Sequence, residues 1–250
     1  SWQGIAGAIE GAKRGNKVVL SPNTHCYFDF YQSKDVQFEP FAIGGYTPVE
    51  KVYAFEPVPS ALDEEQAKLV IGAQCNLWTE YIKTFSQIQY MILPRLAALC
   101  EVQWTEPQLK DYESFKERIA AMFAIYDKYG YNYAKHLCDV NATYTPDPKK
   151  KALEVTFTTL NDREIRYTTD GNDPDANSIL YQGPFTVDSD MVIKAASFSN
   201  GVKSRTISDT INVNVASFTK AIFNTTPANG YAFNGAQTLV DGIVGGTTNY

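Results

Sequence analysis

The sequence predicts an α/β unit built on a parallel sheet, followed by a small all-β sandwich module, and three observations carry that prediction. Up to about residue 140, short apolar runs alternate with segments whose apolar residues step by three or four, the strand and helix alternation of a parallel sheet. Beyond residue 151 the period falls to two and turn signals crowd together, as in a small antiparallel sandwich. Between the two, Pro146, Pro148 and Lys149-Lys150-Lys151 read as a solvated linker. The expected organisation is residues 1–141, a linker at 142–151, a β-sandwich at 152–215, and the start of a further β domain at 216–250.

Taken in order, Ser1-Trp2-Gln3-Gly4 leads into a helix over residues 5–14 that Gly15-Asn16 ends. Lys17 to Ser21 is a short strand halted by Pro22. Residues 23–32 are dense in aromatics and place Tyr27 and Asp29 two apart. A long loop with Pro40, Gly44, Gly45, Pro48, Pro57 and Pro59 follows, and loops of that length in compact domains are often functional. Asp63 to Lys68 is a short helix, and Val70 to Ala73 a strand whose C-terminal end delivers Trp78 and Glu80. Phe85, Ile88, Ile92, Leu96 and Leu99 form one helical face with Pro94 as a kink, and Phe115, Ile119, Met122, Tyr126 and Tyr129 form another that stops at Gly130. Only two complete strand–helix units can be counted, too few to close an eight-stranded barrel. In the second part, strands are expected near 153–159, 165–169, 179–181, 185–187, 191–197 and 206–215, with Asp170-Gly171-Asn172-Asp173-Pro174 as a strong turn and Gly183-Pro184 and Asn200-Gly201 as breaks. Asn229-Gly230, Asn234-Gly235 and Asp241-Gly242 crowd the region assigned to the further domain.

The 250 residues, 44% of them hydrophobic, suffice for one large domain or two to three small ones. A net charge of −6 argues against nucleic acid or an anionic membrane surface as partner. No run approaches the ~20 apolar residues of a membrane span. Cys26, Cys75, Cys100 and Cys138 show no C-x-x-C or Cys/His pattern, so no metal is expected, and Cys75 and Cys100 are expected as small buried hydrophobes. Glycine-rich phosphate loops are absent, and no cofactor is expected. The chain opens at Ser1 inside what reads as a motif, so it is expected to be a piece of something longer.

Chemistry concentrates in Gly72 to Tyr81. In an α/β barrel the loops after the strands build the active site, which makes Trp78 and Glu80 candidates for ligand contact. If the strand stays extended through Glu80, the two share one face. An indole that covers an apolar C–H face beside a carboxylate that accepts from hydroxyls suits a sugar. A core Trp beside a solvated Glu is the competing reading.

Three stretches together resemble the catalytic domain of family 20 glycoside hydrolases, the β-N-acetylhexosaminidases: Ser1-Trp2-Gln3-Gly4, Ser21-Pro22 with residues 27–32, and Gly72 to Tyr81. Leu93-Pro94-Arg95-Leu96-Ala97 and Glu101-Val102-Gln103-Trp104 look like that family's final helix. Residues 152–212 are similar to the chitobiase/hexosaminidase C-terminal module, and Leu239-Val240-Asp241-Gly242 with Gly246-Thr247-Thr248-Asn249 looks like the start of a discoidin-type domain. The resemblance implies the C-terminal part of a (β/α)8 TIM barrel, N-acetylhexosamine-containing glycans as partners, and a periplasmic or extracellular location. It also implies roles: Trp2 and Trp78 wall the acetamido methyl group, Tyr27 donates to the acetamido carbonyl oxygen, and Asp29 and Glu80 accept from hydroxyls on the far side of the non-reducing sugar. In that family the substrate's own acetamide is the nucleophile, forming an oxazolinium intermediate, and one Glu of an Asp-Glu pair is the acid/base. Asp63-Glu64 opens a helix and does not fit that pair, so the pair is expected upstream and residues 1–250 alone are expected to be inactive. Two other readings stay open. Asp29 and Glu80 could be the acid and nucleophile of an ordinary retaining glycosidase, with carboxyl groups ~5 Å apart, or the chain could be a non-catalytic carbohydrate-binding or adhesion assembly.

Overall fold

The computed structural model describes residues 1–160, 163–199, 202–228 and 235–244. The chain forms two compact units, Ser1–Ala134 and Lys135–Thr247.

In the first unit, α1 (Ala6–Lys13) ends before Gly15, whose φ of +81° reverses the chain into the left-handed region. β1 (Val18–Leu20) pairs in parallel with β2 (Val70–Ala73), Leu20 lying opposite Ala73. The crossover between them carries α2 (Asn23–Cys26), α3 (Val49–Tyr53) and α4 (Glu64–Ala67), the last opened by a capping box between Asp63 and Gln66. Pro94 separates α5 (Phe85–Ile92) from α6 (Arg95–Trp104), and α7 (Tyr112–Tyr129) runs from an Asp111 cap to Gly130 at φ +68°. Leu20, Phe28, Val52, Met91, Leu99 and Ile119 are buried between these elements. The described residues therefore show the predicted parallel α/β pairing, with two parallel strands and no closed barrel.

Two expectations need correction here. The β2 ladder ends at Ala73, and beyond it the segment is held by the Gln74 N–H bond to Leu20 O and a single parallel bridge between Asn76 and Tyr27, so the strand does not stay extended through Glu80 as expected. Cys100 is exposed and Cys75 half-buried. The buried stripe of α6 is Arg95, Ala98, Leu99 and Val102, spaced by three and four, and Cys100 lies off it.

The second unit is antiparallel. One sheet has the order β3 (Asn141–Asp147), β4 (Ala152–Thr158), β7 (Phe185–Val187). The other runs β10 (Ile207–Ile211), β8 (Met191–Ser199), β5 (Glu164–Thr168), β6 (Ile179–Leu180), with β9 (Val202–Lys203) also on β8. Leu153, Val155, Phe157 and Val187 from the first sheet share one core with Ile165, Ile193, Ala195 and Ile211 from the second, as a sandwich requires. Residues 142–151, expected as a linker, are a strand and the turn of a hairpin. Ala142 and Tyr144 alternate inward against the core, and Pro146 is tolerated because β3 is an edge strand.

The described part of residues 216–250, expected to begin another domain, closes onto this same core. Phe218 is buried in it, the Phe218 N–H donates to Val240 O at 2.6 Å, and Ile243 bridges Ile211. Burying these two apolar side chains makes that docking favourable. Asn200-Gly201, Asn229-Gly230, Asn234 and Gly246-Thr247-Thr248-Asn249 lie outside the described residues. Among the described residues, no helix is long and apolar enough to cross a membrane, and no cluster of His, Cys, Asp and Glu could hold a metal ion.

Candidate active site

Main-chain bonds bring three stretches of the first unit together at the C-terminal ends of its parallel strands, where α/β sheets bind ligands. Ser21 N–H donates to Ser1 O at 3.0 Å and Asn23 N–H to Trp2 O at 2.9 Å, which sets Trp2 beside the end of β1. Asn76 N–H donates to Cys26 O at 2.8 Å and Phe28 N–H to Asn76 O at 2.7 Å, which lays the segment carrying Tyr27 and Asp29 along the one carrying Trp78 and Glu80.

All five residues expected at a site, Trp2, Tyr27, Asp29, Trp78 and Glu80, line one cavity of about 1020 Å³. Gln74 and Asn76 line it too, so alternate positions from 74 to 80 face the cavity although the ladder has ended. Trp2 and Trp78 are 55% and 52% exposed, and the Tyr27 ring stands tilted 6.4 Å from Trp78 and 5.6 Å from Phe30, centroid to centroid. The result is an aromatic wall with open faces. The Tyr27 hydroxyl makes no hydrogen bond to any described residue, so it is available as a donor to a ligand.

Asp29 is only 6% exposed, and its Oδ1 is buried without a hydrogen-bond partner. A buried acceptor left unpaired is costly, and a ligand hydroxyl would satisfy it. Burial pushes the Asp29 carboxyl above its ordinary range and the Glu80 charge adds to that, while the backbone groups of Asp29 and Trp78 and the Arg95 guanidinium act the other way. Glu80 is exposed at the cavity wall.

Several further residues shape the cavity, none of them among the five site residues expected from sequence. Gln74 Nε2 donates to Asn76 Oδ1 and Asn76 Nδ2 to Ser21 Oγ, both at 2.7 Å, a polar chain along the cavity. Gly45 has φ +68°, and a Cβ there would sit 2.3 Å from the Phe30 ring, so the loop can cross that ring only at a glycine. Arg95 is fully buried and donates to the main-chain carbonyls of Phe28, Phe30, Thr47 and Met91. The Gly44-Gly45 pair was a legible signal, whereas nothing in the spacing of Arg95 announces partners so distant in sequence.

Residues 1–107 match the family model described as glycosyl hydrolase family 20, catalytic domain, and residues 145–210 match the chitobiase/beta-hexosaminidase C-terminal domain. The chain is 34% identical over 207 residues to a beta-hexosaminidase of Porphyromonas gingivalis, an alignment covering 81% of this chain and 26% of the relative. It is 30% identical over 128 residues to a beta-N-acetylhexosaminidase of Cellulomonas fimi, covering 50% of this chain and 25% of the relative. A family 20 exo beta-N-acetylglucosaminidase of Vibrio harveyi, solved in complex with N-acetylglucosamine, aligns at 35% identity and a TM-score of 0.48 over 54% of this chain and 21% of its own. The chain spans about a quarter of the length of these curated relatives. Residues 1–107 are thus similar to the catalytic domains of glycosyl hydrolase family 20, and residues 145–210 to the chitobiase/beta-hexosaminidase C-terminal domains.

Proposed function

We propose that the chain is part of a β-N-acetylhexosaminidase that removes terminal non-reducing N-acetylglucosamine or N-acetylgalactosamine with retention, and that residues 1–134 form the C-terminal part of its (β/α)8 barrel. The observation that carries this reading is the convergence of Trp2, Tyr27, Asp29, Trp78 and Glu80 on one cavity, with an unpaired buried carboxylate oxygen on Asp29. Trp2 and Trp78 enclose the acetamido methyl group, whose transfer from water to an aromatic slot is favourable. Tyr27 donates its hydroxyl to the acetamido oxygen and stops the amide from turning. Asp29 and Glu80 accept from hydroxyls on the opposite side of the ring and hold the sugar in register.

In this mechanism the acetamido oxygen forms a bond to the anomeric carbon as the glycosidic C–O bond breaks, and the departing oxygen takes a proton from a general acid. Water then adds at the anomeric carbon, gives up a proton to the same group, and reopens the oxazolinium ring to restore the acetamide. Among the described residues, Asp29 and Glu80 are the only carboxylates lining the cavity, and both are assigned to binding. The acid/base is therefore assigned to a residue outside 1–250.

The test uses the full-length protein and an aryl N-acetyl-β-glucosaminide, with proton NMR to follow the first-formed anomer. The β-anomer is expected first, and the corresponding glucoside, which lacks the acetamide, should not be turned over. Purified residues 1–250 should show no turnover. An α-anomer formed first, or equal turnover of the glucoside, would overturn the substrate-assisted mechanism. Turnover by residues 1–250 would overturn the assignment of the acid.

A further inference from the structure

We propose that Arg95 is a positioning residue for the cavity: its guanidinium fastens the backbone on both sides of Asp29 and thereby aims that carboxylate at the sugar. This inference rests on the functional reading above for the identity of the ligand.

Arg95 donates through Nη2 to Phe28 O at 2.6 Å and through Nη1 to Phe30 O at 3.0 Å, the carbonyls of the two residues flanking Asp29. One rigid planar group gripping both neighbours restricts the swing of the residue between them. The remaining donors reach two other stretches: Nη1 to Thr47 O at 3.0 Å, and Nε to Met91 O at 3.0 Å with a second bond from Nη2 to the same carbonyl. All five N–H groups are thus used, every one on a main-chain oxygen, and the cation lies 4.8 Å from the Phe28 ring centroid. A lysine has three donors on one point and cannot span this fork.

Stapling a core does not require a charge, and a buried guanidinium that forms no direct bond to a carboxylate carries a desolvation penalty. What offsets it is the field of nearby acids. Burial lowers the Arg95 pKa, and Glu39 and Asp29 raise it, with smaller contributions from Tyr90 and Cys75. The same field acts in reverse on Asp29, which Glu80 faces from the other segment. Arg95 therefore supports Asp29 twice, through the main chain and through its charge.

The experiment is a pH-resolved kinetic comparison in the full-length enzyme with an aryl N-acetyl-β-glucosaminide. Arg95→Lys keeps the charge but loses the fork, so KM should rise about tenfold while kcat falls less than threefold. In an Asp29→Asn background the same substitution should add little, because the group it positions is already altered. Arg95→Gln, which removes the charge, should move the acid limb of kcat/KM upward, and Arg95→Lys should leave that limb in place. A wild-type KM in an Arg95→Lys enzyme with a lowered Tm would overturn the proposal, as would full additivity with Asp29→Asn. If Arg95→Gln does not fold, the Lys cycle decides alone. A wild-type enzyme that turns over no N-acetylglucosaminide sinks the functional reading instead. The Arg95 inference is then read from the carboxyl carbon-13 shift of Asp29, which must differ between wild type and Arg95→Lys.

Discussion

Tyr27→Phe removes one hydroxyl and keeps the ring. Because that hydroxyl bonds to no described residue, its loss should alter folding free energy by no more than about 0.5 kcal/mol. The ring contacts with Trp78 and Phe30 remain. The whole effect is then expected in the reaction. A donor aimed at the acetamido oxygen matters most as that oxygen attacks, when it must be held at one distance and angle, and removing a single preorganised donor typically costs roughly 10² to 10³ in kcat, or ~2.7–4 kcal/mol. KM should change much less, since the bond strengthens toward the transition state. The assay is steady-state turnover of an aryl N-acetyl-β-glucosaminide by the full-length enzyme, beside a thermal melt. A kcat within about threefold of wild type, in a variant that melts normally, would refute the assignment and leave Tyr27 as a packing residue of the wall.

Glu80→Gln keeps the shape of an exposed cavity residue but weakens its acceptance from a sugar hydroxyl, so N-acetylglucosamine inhibition should weaken and kcat/KM should fall by about tenfold or more; wild-type values would remove Glu80 from the site. Gly45→Ala forces a Cβ to 2.3 Å from the Phe30 ring at a φ of +68°, and should lower stability by about 2 kcal/mol or more in denaturant titration while raising KM, because Phe30 adjoins Asp29. An unchanged denaturation midpoint would show that the loop relaxes away from the ring without cost.

The cavity was legible in the sequence to the extent that its chemistry is local. Trp78 and Glu80 stand just past an apolar strand, Tyr27 and Asp29 repeat the spacing of ring and carboxylate, and all four reach one wall together with Trp2. The route by which Trp78 and Glu80 get there was not legible, because it depends on pairing with the Cys26–Phe28 segment and not on continuation of a strand. Arg95 illustrates the general limit. Its partners are carbonyls of Phe28, Phe30, Thr47 and Met91, and a carbonyl has no side-chain signature, so only the folded backbone reveals that they converge. β4 followed its period of two from Leu153 to Phe157, whereas β8 buries Ala195, Ala196 and Ser197 in succession and the strand expected over residues 206–215 ends at Ile211. Residues 142–147 did not show theirs, since Pro146, Pro148 and three lysines mask an alternation that only Ala142 and Tyr144 carry inward.

The burial of Phe218 and the bridge from Ile211 to Ile243 bear on how this chain folds as it is synthesised. The strands from Asn141 to Ile211 can pair as soon as they leave the ribosome, yet their shared core still lacks an aromatic ring and an edge contact that the chain delivers later. Until residue 243 has emerged, the nascent module has an apolar gap where Phe218 belongs and an unpartnered backbone beside Ile211. Cutting the chain at the end of β10, where the strand pattern stops, would make that transient state permanent, with an apolar opening that invites association between copies.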